Sequence, residues 1–254
     1  MKPRPYMLKE TNWKTCKDTE YKIAILPWGA TEAHNYHLPY GTDNYETAFI
    51  AEKSAKIAWE NGAKVIVLPE IPFGVNTQQL DIKMTINLNP TTQMIVLQDI
   101  IESLEYHGIE KLIILNGHGG NSFKQMVREL QKDTEIFLAT INWFAIGNWE
   151  DFFEESGDHA NEMETSLMQY AFPQLVLPLD DAGYGDAKNF KLNGFKEKWA
   201  WAPRQWTEVT EDNGIGNPKA ATPEKGKKYV EFISEKIARF FIGFTATDVN
   251  DMYE

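Results

Sequence analysis

Residues 111–121 read KLIILNGHGGN, an apolar run that passes directly into a glycine-rich turn. The apolar part is typical of a strand that is buried on both faces of a sheet. A helical pattern follows over residues 122–132, with Phe123, Met126 and Leu130 at helical spacing. This order of strand, turn and helix indicates one unit of an α/β fold.

The same order recurs along the chain. Short apolar runs predict further strands at residues 23–27, 64–69 and 136–141, and helical periodicity covers residues 45–61, 91–107, 158–171 and 223–243. Repeated strand–helix units predict a mainly parallel sheet with helices on both faces. Residues 143–157 are expected to form a loop or short helix, and residues 180–222 a long ordered excursion over the active face. One domain over residues 1–254 is the simplest organisation.

Composition narrows the class of protein. The formal net charge is −12 at pH 7, so the surface repels phosphate backbones and nucleic acid is not an expected partner. The single cysteine, Cys16, excludes an intramolecular disulfide and a four-cysteine zinc site. The N-terminus lacks the apolar run of a signal peptide, and no apolar run reaches the roughly 18 residues of a membrane span. We therefore expect a cytoplasmic protein with no membrane partner.

Potential metal ligands follow the first predicted strand. In parallel α/β sheets, ligands bind beyond the carboxyl ends of the strands. The residues after this strand include Glu32, His34 and Asp43, which are side chains that bind divalent metals. Each also has a structural alternative, since Asp43 with Glu46 resembles a helix capping box and the other two could be ordinary surface or core residues.

The glycine-rich turn after residues 111–115 carries one histidine, His118. Flanking glycines let the backbone turn tightly and leave the imidazole accessible, so we interpret His118 as a ligand. A plain connecting turn and an anion-binding helix N-terminus are the alternatives. The turn matches neither nucleotide-binding glycine pattern. Asn116 and Asn121 are expected to shape the turn.

Two glutamates compete for a place in the site. Glu162 and Glu164 lie about 200° apart on a helix, so they cannot face the same pocket. Apolar residues follow Glu164 at helical spacing, whereas polar residues follow Glu162. The pattern therefore places Glu164 on the inward face, as a metal ligand or in a buried ion pair, and predicts that Glu162 is solvated or supports the site from outside.

Three motifs together resemble the creatinine amidohydrolase (creatininase) family: PWGATEAHNYHLPYGTD at 27–43, ILNGHGGN at 114–121 and DHANEMETS at 158–166, with a weaker match at 214–226. The resemblance extends from about residue 21 to residue 243. It implies a three-layer α/β/α fold and homo-oligomers, with hexamers favoured. It also implies two divalent metal ions per chain, with zinc favoured and manganese or iron as the alternatives.

The resemblance also implies roles for individual residues. Glu32 and His118 would bind one metal, His34 the second, and Asp43 would bridge the two. Creatininase uses a glutamate at the position of Gly120, so Glu164 is expected to complete the second site here, as in other members with the NGHGGN sequence. His159 corresponds to the family's catalytic histidine, and we expect His159 and Glu164 to take part in the reaction.

The expected function is hydrolysis of a carbon–nitrogen bond in a small or cyclic amide by a hydroxide held between the two metals. Gly119 and Glu155 stand where creatininase has aromatic residues that hold creatinine, which predicts a different substrate. The family also includes formamide deformylases and peptide-trimming enzymes. The alternatives are a non-catalytic protein that binds a small anion, and a metal-dependent isomerase or lyase.

Four further aromatic side chains lie near these motifs in the sequence. We expect His37 to be structural rather than to touch substrate. The tryptophans of the excursion, Trp199, Trp201 and Trp206, are expected to serve packing or subunit contacts rather than to wall a substrate pocket.

Overall fold

The fold is built on a parallel sheet, seen in a computed structural model that describes residues 3–254. Within these residues the sheet has four strands in the order β2–β1–β3–β4. The strands are β1 Ile23–Trp28, β2 Val65–Val67, β3 Lys111–Asn116 and β4 Phe137–Asn142. All neighbouring pairs are parallel, as predicted, and Trp28 is in register with Asn116. The carboxyl ends of the two central strands therefore lie side by side.

Helices surround this sheet. In the described part of the chain the α-helices are α1 Trp13–Lys17, α2 Thr42–Glu60, α3 Pro90–Tyr106, α4 Phe123–Leu130, α5 Glu162–Ala171, α6 Asn193–Lys196, α7 Trp206–Val209 and α8 Pro223–Ala246. Single 3₁₀ turns lie at Thr77–Gln79, Gln131–Asp133, Trp143–Ala145, Trp149–Asp151, Pro173–Leu175 and Leu179–Asp181. None of the helices within residues 3–254 is long and apolar enough to cross a membrane.

Two hydrophobic cores lie on opposite faces of the sheet. Successive side chains of a strand point to opposite faces, so Ile23 and Ile25 of β1 enter one core while Ala24 and Leu26 enter the other. The first core is closed by α2, α5 and α8, and the second by α3 and α4. Every residue of β1 and β3 is buried. This arrangement confirms the predicted three-layer α/β/α fold.

Helix α2 begins three residues earlier than predicted, and this changes the position of Asp43. Gly41 is the N-cap residue and makes no side-chain capping bond, so Asp43 lies in the first turn of the helix. The alternative that Asp43 caps the helix is therefore wrong. Its carboxylate is 2% exposed and free to face the ends of the strands.

Helix α5 begins four residues later than predicted. Asn161 is its N-cap, with its side-chain oxygen accepting a hydrogen bond from the backbone N–H of Glu164. Ala160 has a positive φ of 48°, which ends any helical path before it. His159 is consequently not helical, and its backbone pairs with Ile215 across the mouth of the sheet.

The excursion over residues 180–222 is fixed by hydrogen bonds rather than by long helices or strands. The carboxylate of Asp212 accepts hydrogen bonds from the backbone N–H groups of Gly185 and Gly214, at 2.8 and 2.9 Å. Asn213 donates to the carbonyl of Ala33, at 2.7 Å, just beyond strand β1. The excursion therefore lies across the carboxyl edge of the sheet, where it was expected.

The central strand gives a stability prediction. Ile114 in β3 is fully buried, whereas Ile95 on α3 is 58% exposed. We expect Ile114→Ala to lower the free energy of unfolding by about 2–5 kcal/mol, because it removes apolar contacts and leaves a cavity. The matched variant Ile95→Ala should change it by less than about 0.5 kcal/mol. Denaturant unfolding of both variants measures the difference, and equal losses would contradict this account of the core.

Candidate metal centre

The predicted ligand residues converge at the carboxyl edge of the two central strands. Glu32 and His34 follow β1, and His118 follows the adjacent strand β3. Asp43 and Glu164 come from the first turns of α2 and α5, which pack on the same face of the sheet. All five side chains are buried, with exposed fractions of 8% or less. The structure thus brings together residues that are separated by up to 132 positions in the chain.

Glu32, Asp43 and His118 form the first potential metal-binding group. The Nδ1 atom of His118 lies 2.9 Å from Glu32 Oε1 and 2.9 Å from Asp43 Oδ2. Two carboxylates and one imidazole are a donor set suited to zinc or another divalent first-row metal.

His34, Asp43 and Glu164 form the second group. The Nε2 atom of His34 lies 2.9 Å from Asp43 Oδ1 and 3.9 Å from Glu164 Oε1. Asp43 therefore turns one carboxylate oxygen to each group. This is the arrangement that a bridging carboxylate requires.

Backbone carbonyls fix the orientation of both imidazoles. His34 Nδ1 is 3.1 Å from the carbonyl of Glu32, and His118 Nε2 is 3.1 Å from the carbonyl of Val75. A carbonyl only accepts, so these ring nitrogens carry the protons and donate. The other nitrogen of each ring then directs a lone pair at the carboxylates, which is the usual orientation of metal-binding histidines.

The carboxylates and imidazoles need a positive charge between them. In addition, Asp43 Oδ2 and Glu164 Oε2 are buried and accept no hydrogen bond within the described residues. Electron pairs that face one another in a buried site are unfavourable unless protons or metal ions lie between them. The donor types, their spacing and these two free oxygens all fit divalent metals.

The pKa values of these side chains without metal reflect the same closeness of charged groups. Burial alone would lower the pKa of His34, but the carboxylates of Asp43, Glu164 and Glu32 outweigh it and raise the pKa to about 10. Burial likewise opposes ionisation of Asp43, yet the imidazoles of His34 and His118 hold its pKa below the usual value. For Glu164, burial dominates and raises the pKa to about 7, with the charge of Asp43 adding to it.

His159 lies beside these groups with its own backbone anchor. Its Nε2 donates to the carbonyl of Ala33 at 2.8 Å, and its Nδ1 lies 3.8 Å from Glu32 Oε1. Together with Glu32 and His34 it forms a third cluster of potential ligands. Burial lowers its pKa, and the neighbouring His34 lowers it further. The ring of Trp206 packs edge-on against it, at 5.2 Å between centroids.

Glu162 lies outside all three clusters. Its carboxylate accepts hydrogen bonds from the backbone N–H groups of Glu154 and Glu155, at 2.9 and 2.7 Å, and pairs with Lys225 at 2.5 Å. Of the two roles expected for Glu162, solvation is wrong, since the side chain is fully buried. The helical-face argument nevertheless separates the two glutamates as the structure does: Glu162 fastens a loop, and Glu164 faces the other potential ligands.

Two side chains near the centre were missed in the sequence. Gln79 donates a hydrogen bond to Glu32 Oε2 from a 3₁₀ turn far along the chain, and no periodic pattern points to it. Glu46 is fully buried, and neither of its carboxylate oxygens has a hydrogen-bond partner in the described residues. Burial, followed by the charges of Glu164 and Asp43, raises its pKa well above the usual value. Its spacing of three from Asp43 on α2 was the available signal.

The glycine-rich turn is built to orient His118. Asn116 accepts a hydrogen bond from the backbone N–H of His118 at 3.1 Å and donates to its carbonyl at 2.9 Å. Asn121 donates to Asn116 at 3.0 Å, so both asparagines shape the turn, as expected. A side chain at Gly120 would approach the Nε2 of His118 to 2.4 Å, whereas a side chain at Gly119 would meet open space.

The remaining aromatic candidates divide between the interior and the surface. His37 is buried and shares a 2.9 Å hydrogen bond with Thr165, a structural role. Trp206 is buried against His159, whereas Trp199 and Trp201 are 76% and 84% exposed. Trp206 therefore packs, as expected, but it packs against the candidate centre.

Comparison with known proteins finds relatives in one family. The sequence model of a family described as creatininase, creatinine amidohydrolase, matches residues 9–241. A creatinine amidohydrolase of Pseudomonas putida is 27% identical over 191 residues, which is 64% of this chain and 71% of that protein. A mycofactocin precursor peptide peptidase of Mycobacterium ulcerans (strain Agy99) is 24% identical over 228 residues, which is 85% of this chain and 83% of that protein.

Solved structures share the fold over nearly the whole chain. A crystal structure of a candidate creatinine amidohydrolase from Bacteroides fragilis NCTC 9343 is 42% identical with a TM-score of 0.92, and the match covers 98% of this chain and 99% of that one. Creatininase in a Zn–Zn form and in a Mn form gives TM-scores of 0.76 and 0.77 at 23% and 22% identity, covering 96% of this chain and 100% of each. At this identity the creatininase structures show a common fold.

The two glycines of the turn give a matched test of the centre. We expect Gly120→Ala to weaken metal binding by about 10–100-fold, because its methyl group displaces His118 from the carbonyl of Val75. Gly119→Ala should bind metal like the unchanged protein, since its methyl group enters open space. Competition titration of zinc against a chelator measures both affinities. Equal affinities in the two variants would show that the hydrogen bond to Val75 does not orient a metal ligand.

Proposed function

Since the chain belongs to the creatininase (creatinine amidohydrolase) family, whose members are metal-dependent amidohydrolases, we propose that it hydrolyses a carbon–nitrogen bond in a small or cyclic amide other than creatinine. The observation that carries this proposal is the shared carboxylate of Asp43. Its two oxygens face His118 on one side and His34 on the other, each at 2.9 Å.

We propose two divalent ions per chain, zinc in preference to manganese or iron. Glu32, Asp43 and His118 would hold one ion, and His34, Asp43 and Glu164 the other. When bound, such a pair supplies Lewis acidity, lowering the pKa of a coordinated water and polarising the carbonyl of the amide. Three carboxylates balance most of the charge of two divalent ions, which suits a site that is almost closed to solvent.

His159 is the proposed proton carrier. Its Nε2–H is committed to the carbonyl of Ala33, so the Nδ1 atom has the free lone pair, and this atom faces Glu32 and the centre. The lowered pKa keeps the ring neutral at pH 7 and able to accept a proton. Nδ1 takes a proton from the attacking water and delivers it to the departing nitrogen, a general acid–base role. Glu164, whose Oε1 lies 3.9 Å from His34 Nε2, is proposed to take part in the reaction through the second ion.

The walls of the site argue against creatinine. Gly119 leaves open space where creatininase has an aromatic residue, and Glu155, at the other such position, is exposed to solvent. The relatives do not fix the substrate, because one is named for creatinine and another for a precursor peptide. Product mass separates hydrolysis, which adds one water, from an isomerase or lyase reaction. A small-anion binding protein would give no product.

We further propose that the enzyme works in the cytoplasm as a homo-oligomer, with a hexamer favoured. The resemblance of its motifs to the creatininase family supports this assembly. Sedimentation equilibrium of the purified chain decides the assembly, and a monomer would contradict it.

Replacement of the shared carboxylate tests the centre directly. We expect Asp43→Asn to lose both ions, because each proposed site loses an anionic ligand. Glu164→Gln should lose only the ion held with His34. Asp99→Asn, an exposed position on α3, is the matched control and should retain both. Elemental analysis of protein purified without chelator gives the metal content, and full content in Asp43→Asn would overturn the proposal.

Replacement of His159 tests the chemistry separately from metal binding. We expect His159→Ala to lower kcat by about 10²–10⁴-fold and to keep both ions, because the imidazole moves a proton rather than holding a metal. The exposed His107→Ala is the control and should keep full turnover. The assay is release of product by the amide that a substrate screen identifies. Loss of metal in His159→Ala would assign the residue as a ligand instead.

A further inference from the structure

The excursion contains a basic and aromatic segment that the proposed chemistry does not use. Residues 187–205 read AKNFKLNGFKEKWAWAPRQ and contain five basic residues and one acidic residue, in a chain whose net charge is −12. We call residues 187–205 the basic segment. Such a reversal of charge concentrates positive potential at one place on an otherwise acidic surface, where it attracts anions.

The basic segment lines most of a cavity of about 940 Å³. This volume lies in the range of small-molecule sites. Lys188, Lys196, Lys198 and Arg204 border the cavity, and Arg204 is paired with the carboxylate of Asp158 at 3.1 Å. The three lysine side chains form no ion pair or hydrogen bond with any residue in 3–254. The lining also contains the carboxylates of Asp158 and Glu208, so four basic side chains stand against two acidic ones and the positive charge remains in excess.

Aromatic rings form another part of the lining. Phe190 and Phe195 lie with their ring centroids 4.5 Å apart and tilted by 31°. Rings beside cations exclude water and strengthen the interaction of those cations with an anion. The combination suits a ligand with an anionic group next to a planar or apolar part.

The cavity lining is linked to the candidate metal centre through the chain and through packed side chains. Asp158 borders the cavity, and the next residue, His159, directs its Nδ1 at Glu32. The guanidinium of Arg204 lies 4.7 Å from the centre of the Trp206 ring, and that ring packs on His159. Two contacts therefore lead from the cavity to the proposed proton carrier.

We propose that the substrate carries a carboxylate or phosphate group that binds in this cavity through Lys188, Lys196 and Lys198 while its amide lies at the metal centre. This inference rests on the proposed amidohydrolase function and adds a substrate class to it. Because the cavity borders Asp158, the residue before His159, it fits a small anionic molecule better than an extended polyanion, which the acidic remainder of the surface repels.

The first test measures anion binding without turnover. Phenyl phosphate and benzoate are titrated calorimetrically into the metal-loaded protein, with benzyl alcohol as the neutral match. In the triple variant Lys188→Gln, Lys196→Gln, Lys198→Gln we expect at least about tenfold weaker binding of one or both anions. The control triple Lys14→Gln, Lys17→Gln, Lys124→Gln has the same change of net charge outside the basic segment and the cavity lining, and it should bind like the unchanged protein. The anion that binds more tightly shows whether the cavity prefers a phosphate or a carboxylate group.

Repeating the titrations in the Asp43→Asn variant distinguishes anions that bind in the cavity from anions that bind to the metal ions. Binding in the cavity should persist in that variant and should still depend on the three lysines, whereas binding to metal should vanish. If elemental analysis finds no metal in the unchanged protein but the anion still binds through the three lysines, the proposed function is wrong and the anion site stands. The proposed anion site would be wrong if both lysine triples lost the same anion affinity. It would also be wrong if the protein bound benzyl alcohol as tightly as the anions.

The second test uses turnover. Amides that differ only by a free carboxylate or its methyl ester are compared with the unchanged enzyme and the cavity triple. We expect the triple to lower kcat/KM for the anionic amide and to leave that of the ester unchanged. If the triple instead changes the sedimentation mass while anion binding is unaffected, the basic segment is an interface between copies of the chain and the proposal is wrong.

Discussion

The carboxylate of Asp43 between two imidazoles is the interaction on which the rest of the site depends. It is 2% exposed, and each oxygen faces a ring nitrogen at 2.9 Å. A buried anion of this kind is unfavourable unless positive charge compensates it. Glu32 and Glu164 lie in the same potential metal-binding groups as Asp43 and add to this requirement. Glu46 is also buried without a hydrogen-bond partner in the described residues, but its pKa is raised well above the usual value, so it favours the neutral acid and adds little charge.

The sheet makes this concentration of charge possible. Parallel strands β1 and β3 end side by side, so the residues that follow them must meet although they are far apart in the chain. The backbone then supplies the orientation, because the carbonyls of Glu32 and Val75 hold one nitrogen of each imidazole. Without metal, protons on the imidazoles supply compensating charge, because the neighbouring carboxylates outweigh burial and raise the pKa of His34 to about 10. The fold thus concentrates carboxylates and imidazoles at the carboxyl edge of the sheet, and divalent metal ions there would compensate their charges.

The sequence predicted the parts of this site that follow directly from strand ends and helical faces. Glu32, His34 and His118 could be placed because apolar runs mark where the strands end. Glu164 could be separated from Glu162 by the stripe of apolar residues that follows it. The buried pairing of Glu162 with Lys225 was not predictable, because it joins α5 to α8 through a tertiary contact. Gln79 was missed for the same reason, and the start of α5 was misplaced because Ala160 adopts a left-handed conformation without glycine.

The turn at Gly119 and Gly120 links the ligand set to the shape of the pocket. A side chain at Gly120 would collide with His118 and with the carbonyl of Val75, so in this backbone the turn cannot also supply a glutamate. The second group must then be completed from another element, and α5 provides Glu164 in its first turn. Gly119 adds no side chain at the same turn, and a side chain there would meet open space. The potential metal-binding groups lie at the ends of the strands, whereas the proposed anion site lies in the excursion, where chain length and charge can change without disturbing the sheet.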